Sequence, residues 1–126
     1  MKLLWIALGG AVGTLARYHL DGWTQGKLGT GFPFGTLAVN LLGSFLLAIV
    51  MHVGLRVDAV PSTVRIALAT GLLGGFTTYS SFNYETQGYL HGGAWGMALI
   101  NVVVTVFGCL LAGLTGAVVA RALVGP

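Results

Sequence analysis

Apolar residues fall in four long runs rather than short alternating stretches, and the polar positions within the runs recur at helical spacing. The runs cover about 3–20, 34–55, 63–90 and 94–123. A helix of such length spans a hydrocarbon core of about 30 Å, so the pattern predicts an all-α membrane protein. Residues 1–126 form one domain of four transmembrane helices with no repeat or second domain. Trp5, Tyr18 and Trp95 stand where aromatic residues anchor helices at the water interface. The stretch Asp21 to Phe32 is polar and glycine-rich and reads as a linker, with Pro33 suited to the first turn of the next helix. Arg56 to Ser62 is a short loop in which Ser62 reads as an N-cap, and His91-Gly92-Gly93 reads as a tight turn.

The third run departs from the rest. Gly71-Leu72-Leu73-Gly74-Gly75-Phe76-Thr77-Thr78-Tyr79-Ser80-Ser81-Phe82 places a glycine pair before a threonine pair, then aromatics and hydroxyls. Glycine weakens a helix and β-branched threonine does not strengthen it. Irregular backbone at membrane depth survives only buried in protein or lining a wet cavity. The expectation is a helix broken near Gly74–Thr78 beside a polar pathway. Elsewhere glycine predicts packing: Gly9 and Gly13 are four apart, and Gly108, Gly113 and Gly116 line the fourth run.

Composition sharpens this picture by exclusion. Only 7% of the 126 residues are charged and 56% are hydrophobic, whereas soluble domains carry about 25% charged residues. The net charge of +3 is not gathered into a basic cluster, so nucleic acid is not a partner and the lipid bilayer is. Met1-Lys2 before an apolar run also fits a signal peptide, but its glycines are spaced for helix packing rather than cleavage. Cys109 is the only cysteine, and His19, His52 and His91 lack metal-ligand spacing. With no nucleophile–base constellation and no phosphate loop, the chain does not read as an enzyme.

Several polar residues lie inside the runs, each with two readings. Asn40 shares one helix face with Thr36, Gly43 and Ser44; its amide either joins helices or contacts a ligand. Tyr79 and Phe82, three apart, either pack in the bundle or present positive ring edges to an anion. Thr36, Ser80, Ser81, Asn101 and Thr105 are small polar groups, with Cys109 following Asn101 and Thr105 at helical spacing. Hydroxyls in membrane helices commonly bond their own backbone, so only the set as a whole suggests a path. Glu85 is the acid well inside a run, a functional candidate or a salt partner near water. Arg17 either draws anions to a vestibule or snorkels to headgroups.

Four helices do not readily enclose a pathway, so the polar faces suggest a two-fold dimer. With the N-terminus inside, Lys2, Arg56, Arg65 and Arg121 face the cytoplasm while Arg17 and Lys27 face outward. That bias is weak and compatible with insertion in both directions.

Along nearly its whole length the chain resembles the Fluc (CrcB) family of small fluoride channels. The resemblance rests on Gly9-Gly10-x-x-Gly13-x-x-x-Arg17, Gly35-Thr36-Leu37-x-Val39-Asn40-Leu41-x-Gly43, and Gly71-x-Leu73-Gly74-Gly75-x-Thr77-Thr78-Tyr79-Ser80-Ser81-Phe82. It implies a dual-topology, antiparallel homodimer in the bacterial cytoplasmic (inner) membrane, with two fluoride pores and a central structural sodium ion. The implied sodium ligands are backbone carbonyls of Gly74 and Thr77. The implied fluoride path is Asn40 with ring edges at Tyr79 and Phe82, hydroxyls at Thr36 and Ser81, and a track of Asn101, Thr105 and Cys109. Arg17 and Glu85 stand as vestibule or supporting residues. Tyr79 replaces the family's usual Phe, Ser81 its common Thr, and Cys109 its hydroxyl or glycine. The implied activity is passive fluoride export, protecting against fluoride that enters as neutral HF and dissociates inside. A small dual-topology multidrug/proton exporter is the alternative, but it relies on an acid in the first helix, where this chain has none. A non-transporting structural subunit is another, but it leaves the polar faces without a purpose.

Overall fold

The computed structural model describes residues 1–58 and 60–126, which contain helices and no strand. The elements are α1 (Lys2–Leu28), α2 (Phe34–Arg56), α3 (Ser62–Ile66), a π-helical segment (Ala67–Leu73), α4 (Gly74–Phe76), α5 (Tyr79–His91) and α6 (Trp95–Val124). Among the described residues, α2 and α6 are the helices long and apolar enough to cross a membrane by length and composition.

The first helix is longer than its apolar run. Instead of ending near Leu20, α1 continues through the expected linker to Leu28. Local hydrogen bonds explain the extension: the Thr24 hydroxyl donates to the Leu20 carbonyl, and Gln25 Nε2 donates to Asp21 Oδ1 one turn back. Termination falls at Gly29, whose φ of 82° takes the chain out of helix. The start of the third run also differs from the sequence reading. Ser62 is the first residue of α3 rather than its cap; Pro61 holds the cap position and no side chain caps the helix.

From Ser62 to Phe76 the chain is continuously helical, but its middle is wound as a π-helix, a geometry often found at functional sites. It then leaves helix at Thr77 (φ −82°, ψ 156°) and Thr78 (φ −150°, ψ 109°), both extended, before α5 begins. The extended step therefore falls on the threonine pair. The glycine pair before it is helical, in α4, and its role lies elsewhere.

For Gly75 that role is contact with α1. A Cβ on Gly9 would lie 2.6 Å from the Ala67 carbonyl oxygen, one on Gly71 2.8 Å from that of Ile6, and one on Gly75 2.6 Å from that of Gly10. A Cβ on Gly13 would run into the Leu72 carbonyl and the Phe76 amide. Backbone thus lies directly on backbone, the approach that small residues permit in membrane helices. On the other side α2 runs beside α6, with Gly116 against the Phe45 carbonyl and Gly108 against Leu41.

Among the described residues the buried apolar core is small, drawing on Val39, Leu73, Phe76, Phe82, Ala98 and Ala120. Much larger apolar area lies outside, on α1 (Leu3, Leu15) and α6 (Phe107, Leu110, Leu114, Val118). A soluble domain rarely leaves so much contiguous apolar surface exposed.

Candidate functional site

The site is built where the extended step meets α2. Asn40 projects from α2 at the level of Thr78 and is buried together with it. Asn40 Nδ2 donates to the Thr78 carbonyl at 3.0 Å, and Asn40 Oδ1 accepts from the Thr78 amide at 2.8 Å. One side-chain amide thereby satisfies both polar groups of a peptide that has left the helix. Left alone, each would cost about 1–3 kcal/mol. A continuing helix would aim the Thr78 amide at the Gly74 carbonyl; here it is turned to Asn40.

Thr78 also opens the next helix. As N-cap of α5 its Oγ1 accepts from the Ser81 amide, and its hydroxyl donates to Ser81 Oγ at 3.0 Å. Thr77 folds inward and donates its hydroxyl to the Leu73 carbonyl. The local sequence favours this arrangement: a β-branched pair suits extended backbone, and a threonine directly before a helix caps it.

Beside this clamp lies a cavity of about 290 Å³ between α2, α5 and α6. Asn40, Thr77, Tyr79, Phe82, Thr105 and Cys109 line it, together with Ser44 from the same α2 face. The Tyr79 and Phe82 rings meet edge to face, centroids 5.5 Å apart at 61°. Phe82 is buried, whereas Tyr79 is 78% exposed, directed outward.

A second cavity, also about 290 Å³, lies on the α1 side and is lined by Arg17, Asp21, Thr36, Thr78 and Ser81 among others. A third, about 420 Å³, is lined by Glu85, Gln25 and Tyr89. The walls between the three are polar. Asn40, facing the first, is bonded to Thr78, facing the second. Thr36, facing the second, donates its hydroxyl to Glu85 Oε1, while Glu85 Oε2 is buried with no partner.

The sequence-derived candidates therefore divide. Asn40, Tyr79, Phe82, Thr105 and Cys109 share the first cavity; Arg17, Thr36 and Ser81 share the second; Glu85 lines the third. Asn101 lines none of these; it is 1% exposed and bonded within the protein. Gly74 and Thr77 stand at the last helical residues and the extended step. Ser44 and Thr78 belong to the polar face and the broken stretch read from the sequence but carry no site role there, and Thr86 stands outside both. The capping position of Thr78 was readable there, but its pairing with Asn40 joins residues 38 apart in sequence.

The chain is similar to known proteins over nearly its full length. Residues 4–117 match the family model described as CrcB-like protein, Camphor Resistance (CrcB). A fluoride-specific ion channel FluC of Sorangium cellulosum (strain So ce56) is 51% identical over 123 residues, covering 98% of this chain and 97% of that protein. One from Citrifermentans bemidjiense (strain ATCC BAA-1014 / DSM 16622 / JCM 12645 / Bem) is 48% identical over 122 residues, covering 97% and 98%. One from Pelobacter propionicus (strain DSM 2379 / NBRC 103807 / OttBd1) is 47% identical over 121 residues, covering 96% and 94%. Together with the exposed apolar helices, this likeness to channels marks an integral membrane protein. On the match of the family model and the identity to these relatives, the chain belongs to the CrcB-like family.

Proposed function

We propose that the protein is a fluoride-selective channel that lets cytoplasmic fluoride leave the cell down its electrochemical gradient. The observation that carries the reading is the cavity beside the extended step. Asn40 there has spent one N–H on the Thr78 carbonyl, and its amide carries two. The remaining N–H, on a residue lining the cavity, is a donor for a small anion with no full positive charge to trap it. Tyr79 and Phe82 line the same cavity, and the edge of an aromatic ring carries positive partial charge that an anion can meet. Donors of this kind replace a tightly held hydration shell, yet bind weakly enough for the ion to leave. The names of relatives sharing about half their residues with this chain support fluoride as that anion.

In this reading α1, α2, the third run and α6 are four membrane crossings, and the working unit is an antiparallel homodimer in the bacterial inner membrane. The 78% exposure of Tyr79, an aromatic on the cavity wall, supports a second copy as its cover. Two cavities related by two-fold symmetry become two pores. Arg17, in the second cavity, serves as a vestibule charge that attracts anions.

A structural sodium ion fits the same backbone. With the Thr78 amide turned to Asn40, the Gly74 carbonyl lacks the donor a continuing helix would provide, and uncoordinated carbonyls at a helix interruption suit an alkali cation. Carbonyls of Gly74 and Thr77, one pair from each subunit, would hold the ion, which would supply fixed positive charge at the dimer centre.

The test uses purified protein in liposomes loaded with potassium fluoride or potassium chloride. Efflux is followed by ion-selective electrodes after a potassium ionophore releases the charge imbalance. Rapid fluoride release with chloride retained is the expected result. No fluoride release, or equal release of chloride, overturns the proposal. Fluoride release that also requires an imposed pH gradient would point to a proton-coupled exporter instead.

A further inference from the structure

Two residues outside the cavity join two of its walls. Thr105 on α6 lines the cavity and donates its hydroxyl to Asn101 Oδ1 at 3.4 Å. Asn101 Nδ2 donates to Thr86 Oγ1 at 2.9 Å, and the Thr86 hydroxyl donates to the Phe82 carbonyl at 2.7 Å. Phe82 lines the same cavity on α5. Each donor and acceptor has one direction. Thr86 gives its hydrogen to its own helix and offers a lone pair to Asn101, which leaves the Asn101 carbonyl to receive Thr105.

From this geometry we infer that Thr86 and Asn101 are positioning residues for ion passage, a buried relay that sets the Phe82 ring against the Thr105 hydroxyl. The inference rests on the channel reading above. Apolar contact along α6 would allow the two helices to slide. An Asn with 1% exposure allows no such slip, because a shift strands its amide in a medium without water. Thr86 bonding its own helix would ordinarily be unremarkable for a membrane threonine; the Asn101 donor that lands on the same oxygen makes it a junction. The relay also aims the Thr105 hydrogen away from the cavity and toward Asn101, at the longest and weakest of the three bonds. An anion arriving at Thr105 competes for that hydrogen with a single long bond.

The test compares fluoride efflux from liposomes for the wild type, Thr86→Val, Thr86→Ser, Phe82→Leu and the double variant Thr86→Val/Phe82→Leu. Valine keeps the shape and removes the junction; serine keeps the hydroxyl. The expected result is a fall of about tenfold for Thr86→Val, as suits loss of a buried network, with Thr86→Ser near wild type. In the Phe82→Leu background Thr86→Val should cost markedly less, because a residue acting through the ring has less to position once the ring is gone. Equal costs in both backgrounds, or wild-type flux in Thr86→Val, overturn the inference. If Thr86→Val does not yield folded protein, Thr86→Ser decides: near-wild-type flux supports the relay, and a tenfold loss refutes it. Absence of fluoride flux in the wild type itself would sink the channel reading instead, so the two failures are told apart.

Discussion

The two contacts made by the third run are built on opposite principles. Toward α1, its first half lies backbone on backbone, with Gly9, Gly13, Gly71 and Gly75 leaving no room for a side chain. Toward α2 and α6, its second half is held by directed polar bonds: Asn40 to Thr78, Thr36 to Glu85, Asn101 to Thr86. The first contact is sensitive to volume and the second to pairing. Between them sit the extended residues Thr77 and Thr78, so the glycine side fixes where the chain leaves helix and the polar side gives the freed groups partners. Both are needed because lipid supplies neither water nor a hydrophobic drive between helices.

The contrast is broken most severely on the polar side. Asn40→Leu leaves the Thr78 amide and carbonyl buried without partners, at about 1–3 kcal/mol each. The expected outcome is a lowered melting temperature in detergent and no measurable fluoride flux. Asn40→Asp separates the two roles, since it retains an acceptor for the Thr78 amide but loses the donors. It should recover part of the stability while flux stays impaired; undiminished flux would remove Asn40 from the ion path.

The glycine side should fail to a smaller degree and for the opposite reason. Gly13→Ala drives a methyl into the Leu72 carbonyl, and overpacking of this kind costs about 1–3 kcal/mol. Gly10→Ala is the matched control, because its Cβ would lie 3.9 Å from the nearest atom. Thermal melts should separate the pair clearly; equal melting temperatures would show that α1 does not rest on the third run as described.

The smallest effect is expected outside both contacts. A Cβ on Gly26 meets nothing within 4 Å, although the residue lies inside α1. Gly26→Ala should therefore stabilise by about 0.5–1 kcal/mol through helix propensity alone, read as a small rise in melting temperature with flux unchanged. A fall would mean that this part of α1 serves something other than helix.

Much of this architecture was legible in the chain because it depends on local spacing. Long apolar runs made an all-helical membrane protein, and Gly9 and Gly13 one turn apart announced a close contact. Thr36, Asn40 and Ser44 marked one face of α2, and all three line cavities in the structure or bond across them. What the spacing misjudged was also local. Asp21 to Leu28 looked like a linker because it is polar and holds glycines, yet bonds within single turns keep it helical. Within the expected stretch Gly74–Thr78 the chain departs from helix at Thr77, while Gly75 stays helical and packs on α1.

By itself, then, the sequence determined the class of protein, an all-helical membrane chain, since hydrophobic period and residue chemistry are properties of neighbours in the chain. Only the tertiary structure decided what Asn40 and Asn101 bond to. Their partners lie 38 and 15 residues away, and a side-chain amide has the same donors and acceptors whether it holds a helix, a backbone step or an ion. Which it holds is a matter of what packing brings within about 3 Å of it, and no spacing along one helix contains that information.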